Sequence, residues 1–561
     1  MKMKFACLAI VAFSPLWAGA LDRNAFTFTK YDLNVRVEPE QQRLGVRGKI
    51  SLRNDSPIPQ QSLSLQISSS LNWSSIRFEG KPVEFVSQIY NSDIDHTGAL
   101  SEAIVVLPQA VAPRQTIDLD IGYEGVVQQD ATRLTRIGVP QDQAKHAEWD
   151  QISRAFTAVR GVGYVAWYPV AIEAVSMSEG DTEQQSVARW KKREADCTMS
   201  LVFKSTSQAP TLFSGNPELF TVNVEDGIKS VRAYEMLRFG VNVPTFVIAN
   251  YSEIENEDKF LAIRYLQGEE QAAKEYLNGA EQLDSMVLVA RRSLNLQILG
   301  LPDAEADSFV SEGMLLTPLK LPWQNDVVLN IVYARALNSV ISRRAWVKEG
   351  LAHYAQAAVI ESLHSRQAAL DYLQSREKEL VGIETKYKSA SGFGSLVDSP
   401  DDTYLQIKSM YVWWMLHDMV GQSAVPGALI SYKVSDDNDP VYVQKLIEKL
   451  SHRDLQWFFD DWVYHDRGLP DFRISSVFPS PLQTGGYLVT VTVENSGTAA
   501  AEVPVTLHGE RETTQRLVVP AKSKASLRIE TTSMPESATV NDGSVPESDT
   551  TNNSFKINHQ N

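Results

Sequence analysis

Cysteine is almost absent from this 561-residue chain, and histidine is sparse. There are two cysteines, Cys7 and Cys197, and nine histidines. Two cysteines exclude a disulfide-stapled scaffold, so stability must come from core burial. Positive charge is also short, with 53 Lys and Arg against 69 Asp and Glu for a formal net charge of −16. A chain that docks on nucleic acid through a broad electrostatic field carries the opposite balance, so nucleic acid is excluded as the expected partner. No apolar run reaches the ~20 residues that span a bilayer, which argues against a transmembrane segment. Low-complexity tracts and internal repeats are missing too. What remains is an ordinary globular composition, 43% hydrophobic and 22% charged, long enough for three or four domains.

The first twenty residues read as a secretory leader. Lys2 and Lys4 form a positive start, Phe5 to Trp17 is a short apolar run, and Ala18-Gly19-Ala20 is a small-residue cleavage site. Cys7 lacks the small apolar context that lipid anchoring needs. The expected location is therefore periplasmic or secreted. Removing two lysines and no acid takes the net charge from −16 to −18, and it leaves Cys197 without a possible disulfide partner.

From Asp22 to about Glu255 the dominant pattern is strand. Tyr31, Leu33, Val35 and Val37 alternate with polar residues, and Leu44, Val46 and Ile50 do so again across Glu38-Pro39-Glu40, which predicts a hairpin with one buried face. After Asn256 helical spacing takes over, beginning with Ala272, Tyr276, Ala280, Leu283, Val287 and Ala290. Further helices are predicted over Val327–Ser342, Arg344–Leu363, Ser365–Leu380, Leu405–Val420 and Pro440–Leu450. Ser451 reads as the N-cap of a helix over Leu455–Tyr464, with Asp454 three residues on. Beyond Phe472 short alternating strands return. Three parts follow: a β domain over 21–255, a helical domain over 256–474 and a β-sandwich over 475–561.

The chemistry concentrates in Trp346-Val347-Lys348-Glu349-Gly350-Leu351-Ala352-His353-Tyr354. It is followed at a distance by Trp457-Phe458-Phe459-Asp460-Asp461-Trp462-Val463-Tyr464 and Arg467-Gly468-Leu469-Pro470-Asp471-Phe472. In this order, these segments resemble the zinc aminopeptidases of the membrane alanyl aminopeptidase and leukotriene hydrolase type, the gluzincin family called M-one. The resemblance implies a multidomain α+β fold, with an N-terminal antiparallel β saddle, a thermolysin-like mainly helical domain and a C-terminal accessory domain. That last domain, through Asn541-Asp542-Gly543-Ser544-Val545-Pro546-Glu547-Ser548-Asp549 and Asn552-Asn553, resembles Ig-like adhesion sandwiches of the CARDB type.

Members of this family bind zinc through an HExxH helix and a Glu about eighteen residues on; Glu349 matches that third ligand. Its partners are missing. Asn330, Ile331 and Ala334 stand where the first His, the general base and the second His would stand, and no histidine lies between positions 147 and 352. Zinc lowers the pKa of its bound water from about 15.7 to about 7, and one carboxylate cannot hold it for that task. The family's transition-state tyrosine is replaced by Gln406, and its amine-anchoring Glu motif is represented at best by Glu312-Gly313-Met314-Leu315-Leu316. No catalytic residue and no cofactor are therefore expected.

The expectation is an inactive aminopeptidase-like protein whose former groove, near Lys348, Glu349, Tyr404, Gln406 and Lys408, holds a peptide or protein partner. The enzyme alternative is a metalloaminopeptidase with a non-standard zinc site, in which Glu349 and His353 at i and i+4 are joined by His417 or Asp418. Two ligands at helical spacing arise readily by chance, so a helix histidine beside a groove acid is the simpler reading. Asp542, Glu547 and Asp549 carry oxygens suited to calcium, but their Asn-, Asp- and Gly-rich setting reads as a tight turn.

Overall fold

A computed structural model describes residues 21–557 except positions 24, 91–99, 137, 162–165, 171–194, 207–208, 216–218, 239–243, 260, 285–295, 312, 322–324, 340–341, 343, 389–394, 398–401, 422 and 438. Residues 1–20, expected to be a leader, and Glu312 lie outside the described residues, as do Val287 and Ala290.

The predicted hairpin forms. Strands Phe26–Glu38 and Arg43–Asn54 pair antiparallel with Tyr31 opposite Ile50, Val35 opposite Val46 and Val37 opposite Leu44. All six side chains are buried, as a period of two with one covered face requires. A 3-10 turn over Pro39–Gln41 connects them, and Gln42 leaves it with a left-handed φ of 56°. The hairpin sits inside an eight-stranded sheet whose edges are Leu219–Glu225 and Lys81–Pro82. One pair departs from the antiparallel expectation: Phe26–Glu38 runs parallel to Asp196–Ser205, its return strand arriving from far along the chain. A second sheet, Gln60–Ser68, Leu100–Val111 and Phe85–Tyr90, supplies Leu63, Leu65, Ile67, Ala103 and Val105 to the same core.

Glu102 is buried within that core. Arg23 donates to it through Nε at 2.7 Å and Nη2 at 3.1 Å, Ser64 through Oγ at 2.6 Å, and Gln66 and Gln88 at 3.0 and 2.8 Å. Burial pushes the carboxyl up, but these donors outweigh it and hold the group at about 2.

The change of texture after Asn256 is less abrupt than the spacing suggests. Strands Leu261–Tyr265, Leu296–Gly300 and Met314–Thr317 run parallel to one another, flanked by antiparallel Ser252–Glu255 and Phe309–Ser311. Their apolar residues form short continuous runs without alternation, and such runs do not distinguish a doubly covered strand from a helix. Helix Glu270–Asp284 follows Leu261–Tyr265 and buries Ala273, Tyr276, Leu277, Ala280 and Leu283. Its inward alanine is thus Ala273 rather than Ala272.

Long helices follow at Asn325–Ser339, Ala345–Leu363, Arg366–Lys388 and Asp402–Val420, with shorter ones at Ala424–Ser431 and Tyr442–Ser451. Ser451 closes the last of these, and His452 turns the chain with a left-handed φ of 53°. The next helix has Leu455 at its N-cap, without a side-chain cap, and Asp454 Oδ1 accepts the Gln456 amide at 3.0 Å just ahead of it. Gln456–Phe459 then passes into a π-turn over Asp460–Tyr464. That turn is fixed from outside: Trp462 Nε1 donates to Ala500 O at 2.7 Å and Asp461 Oδ2 accepts the Ala500 amide at 2.8 Å.

Two C-terminal sheets complete the chain. One holds Phe472–Pro481, Tyr487–Asn495 and Ser523–Thr531, and the other Thr513–Val519, Ala501–His508, Ser537–Val540 and Ser554–Lys556. Val489, Val491 and Val493 of the first share a core with Val503, Val505 and Leu507 of the second. That core runs on without a break into Trp346, Trp413, Trp414 and Phe458 of the helices. The whole is a mixed α and β architecture with several sheets, and no described helix is long and apolar enough to cross a membrane.

Replacing Glu102 with Ala strands Arg23 and three polar side chains, and a loss of about 3–5 kcal/mol in denaturant unfolding is expected. Because the carboxyl pKa is lowered on folding, its contribution is complete above its ordinary value of 4.5 and is lost as pH falls toward about 2. Glu102→Gln should remove that part of the acid sensitivity, measured as the unfolding midpoint against pH.

Candidate functional site

The helices Ala345–Leu363 and Asp402–Val420 cross at Gly350. A Cβ built there would lie 2.5 Å from Ser409 Cβ and 2.8 Å from Trp413 Cδ1, so the crossing distance depends on glycine. Trp346 stacks on Trp413 beside it, ring centroids 5.6 Å apart and planes 15° from parallel.

Glu349, next to that crossing, is only 5% exposed. The helix Asn325–Ser339 packs against its face and sends in Tyr333, whose hydroxyl donates to Glu349 Oε2 at 2.6 Å. A carboxylate held by a phenol at that distance is strongly engaged, since bonds to charged groups contribute about 1.5–3 kcal/mol. His353, one turn on, packs its ring 4.9 Å from Tyr333 and sets Nδ1 3.1 Å from Gln356 Oε1. Gln356 is fixed in turn, donating to Leu329 O at 3.0 Å and accepting from Tyr372 at 2.9 Å.

The residues at this place do not fit a catalytic zinc. Ile331 and Ala334 are buried among apolar neighbours from Leu261, Tyr276 and Leu296, and Asn330 is half-buried. The remaining candidates for a non-standard site point elsewhere. Asp418 takes Arg366 in a two-pronged pair at 3.0 and 2.7 Å and Arg516 at 3.3 Å, while His417 lies edge-on to Tyr354 and Trp414. Among the described residues, no three His, Cys, Asp or Glu side chains form a group able to hold a metal ion.

Of the five groove candidates, Lys348 and Gln406 are half-buried and retain surface. Tyr404 and Lys408 are enclosed instead. Both side chains are wholly buried, and they meet Asp466: Lys408 Nζ contacts Asp466 Oδ1, and Tyr404 donates to the same oxygen at 3.1 Å. Glu349 and Lys408, one on each of the crossing helices, thus belong to separate polar clusters. Tyr404 and Lys408 are four residues apart, a visible helical pair, but nothing in the sequence points from them to Asp466. Tyr333 likewise carries no functional signal in the sequence, because a tyrosine in an apolar helix reads as core.

The C-terminal acids behave as turn and anchor residues. Asp542 Oδ1 accepts the Ser544 amide at 3.1 Å and Asp549 Oδ1 accepts the Thr551 amide at 2.9 Å. Glu547 is buried and accepts the Phe472 amide at 3.0 Å. Burial pushes its carboxyl up to about 7, against the hydrogen bonds from Asn541 and Asn553. Cys197 is buried within its strand.

A raised acid contributes stability while protonated in the folded state. Its share is complete below 4.5 and is lost as pH rises through about 7. Between pH 4.5 and about 7 the thermal midpoint should fall and then level off, and Glu547→Gln should flatten that dependence. At the helix crossing, Gly350→Ala should cost about 1–3 kcal/mol by overpacking, and Tyr333→Phe about 1–3 kcal/mol by removing one hydrogen bond to a buried acid. Both are read by denaturant unfolding.

No family model matches the sequence, and no curated protein matches it.

Proposed function

We propose that this chain is a secreted, non-catalytic relative of the zinc aminopeptidases, keeping their saddle-like β domain, thermolysin-like helical domain and a CARDB-like C-terminal sandwich. Its work is to hold a peptide or protein partner without cleaving it. The observation that carries this reading is the Tyr333 to Glu349 hydrogen bond. The acid that would complete a zinc site is engaged by a neighbouring phenol, and the facing helix offers Asn330, Ile331 and Ala334 where ligands and base would be needed. Three protein ligands and an open coordination position are the minimum for a catalytic zinc.

Partner contact falls to the candidates that retain surface, Lys348 and Gln406. A lysine and a glutamine suit a segment with an acidic or carboxyl-terminal group, through charge-assisted and amide hydrogen bonds.

The test joins metal analysis of the purified mature protein to an aminoacyl-anilide assay with zinc added. No stoichiometric zinc and no turnover are expected; stoichiometric zinc with chelator-sensitive turnover would establish the metalloaminopeptidase alternative instead. Binding is read with fluorescently labelled peptides bearing acidic C-termini. Lys348→Glu should weaken it at least tenfold, and unchanged affinity would remove the groove from the proposal.

A further inference from the structure

The contact between Lys408 and Asp466 joins two segments 58 residues apart, and neither side chain has any exposed surface. Lys408 projects from the Asp402–Val420 helix. Asp466 follows the π-turn, with its backbone at a left-handed φ of 36°. Aromatic rings enclose the pair: Nζ lies 5.1 Å from the centroid of Tyr404 and 5.3 Å from that of Trp462. Nζ also donates to Gly468 O at 3.1 Å, and Tyr404 Oη lies 2.8 Å from Nζ and 3.1 Å from Asp466 Oδ1. Asp466 Oδ2 is buried with no hydrogen-bond partner among the described residues.

Two full charges in such surroundings are costly, because the attraction between them must offset the lost hydration of both. Moving one proton from the ammonium to the carboxylate removes both charges. It also leaves an amine lone pair against a carboxylic acid where no water competes. We infer that Lys408 and Asp466 condense into an amide, an isopeptide cross-link within the chain.

The step balances without any oxidant or cofactor. The Nζ lone pair adds to Asp466 Cγ, and the Tyr404 hydroxyl, bonded to Oδ1, stabilises the negative charge that gathers on that oxygen. The Cγ–Oδ2 bond then breaks. Oδ2 leaves as water, carrying its own proton and one from the nitrogen. The hydrogen bonds of the product are already in place: the amide N–H faces Gly468 O, and Oδ1 accepts from Tyr404. The one oxygen without a partner is the one that departs. Such a bond supplies a covalent closure to a chain whose one described cysteine is buried and in no disulfide.

The test is the intact mass of the purified, denatured full chain, with its N-terminus fixed by sequencing, followed by tryptic mapping. The expected mass is one water below that of the sequence, with a branched fragment containing both Lys408 and Asp466. Lys408→Met should restore the full sequence mass. Asp466→Asn should lose one ammonia instead of one water, and this identifies the leaving group without depending on the variant's stability. Tyr404→Phe should leave a mixture of joined and unjoined chains. Wild-type protein at the full sequence mass, with no branched fragment, overturns the inference and makes the pair an ordinary buried ion pair.

Discussion

The close crossing of the helices Ala345–Leu363 and Asp402–Val420 is the constraint on which the rest of the helical region depends. It exists because position 350 has no side chain: any Cβ there would run into Ser409 and Trp413. With the backbones so near, Trp346 and Trp413 stack alongside rather than separating the helices. The two crossing helices then take different polar fates. On one Glu349 meets Tyr333 of the preceding helix, and on the other Lys408 meets Asp466 beyond the π-turn. Buried polar groups need partners, and both clusters draw theirs from other elements, although Asp466 Oδ2 has none among the described residues.

The crossing also decides how the helices meet the C-terminal sheets. Their apolar core is continuous from Trp346 to Val545, so neither part buries its surface alone. Charge fixes the alignment at the boundary. Asp418 receives Arg366 from a neighbouring helix and Arg516 from a strand, and Glu502 receives Arg516 at 3.1 Å and Arg453 at 2.6 Å. Linked bidentate pairs of this kind carry geometric specificity beyond what isolated surface pairs provide. Trp462 and Asp461 make the same junction through the Ala500 backbone.

Much of the outline was legible in the residues themselves. The alternation of Tyr31, Leu33, Val35 and Val37 with its mirror after Pro39 located a hairpin to the residue, because a half-buried strand permits only one pattern. The helices after Asn325 were legible from their spacing, although Ser451, which has the pattern of an opening cap, closes the helix before it. The small parallel sheet around Leu296–Gly300 was not legible, since strands covered on both faces carry no alternation. The lysine and tyrosine of the site were visible, but their burial was not: the family resemblance implied a groove, and the partner that permits their enclosure lies 58 residues away from Lys408.

The sequence by itself determined what chemistry is possible. Histidine is absent between positions 147 and 352, and the chain has too few cysteines for a disulfide framework. These are facts of composition and order that no folding changes. Tertiary structure decided what each surviving group does. It set Tyr333 against Glu349, placed Asp466 against Lys408 among aromatic rings, and left Lys348 and Gln406 with surface. The reason is that hydrogen-bond partners and water exclusion depend on which distant segments a core brings together, and local pattern carries no record of that.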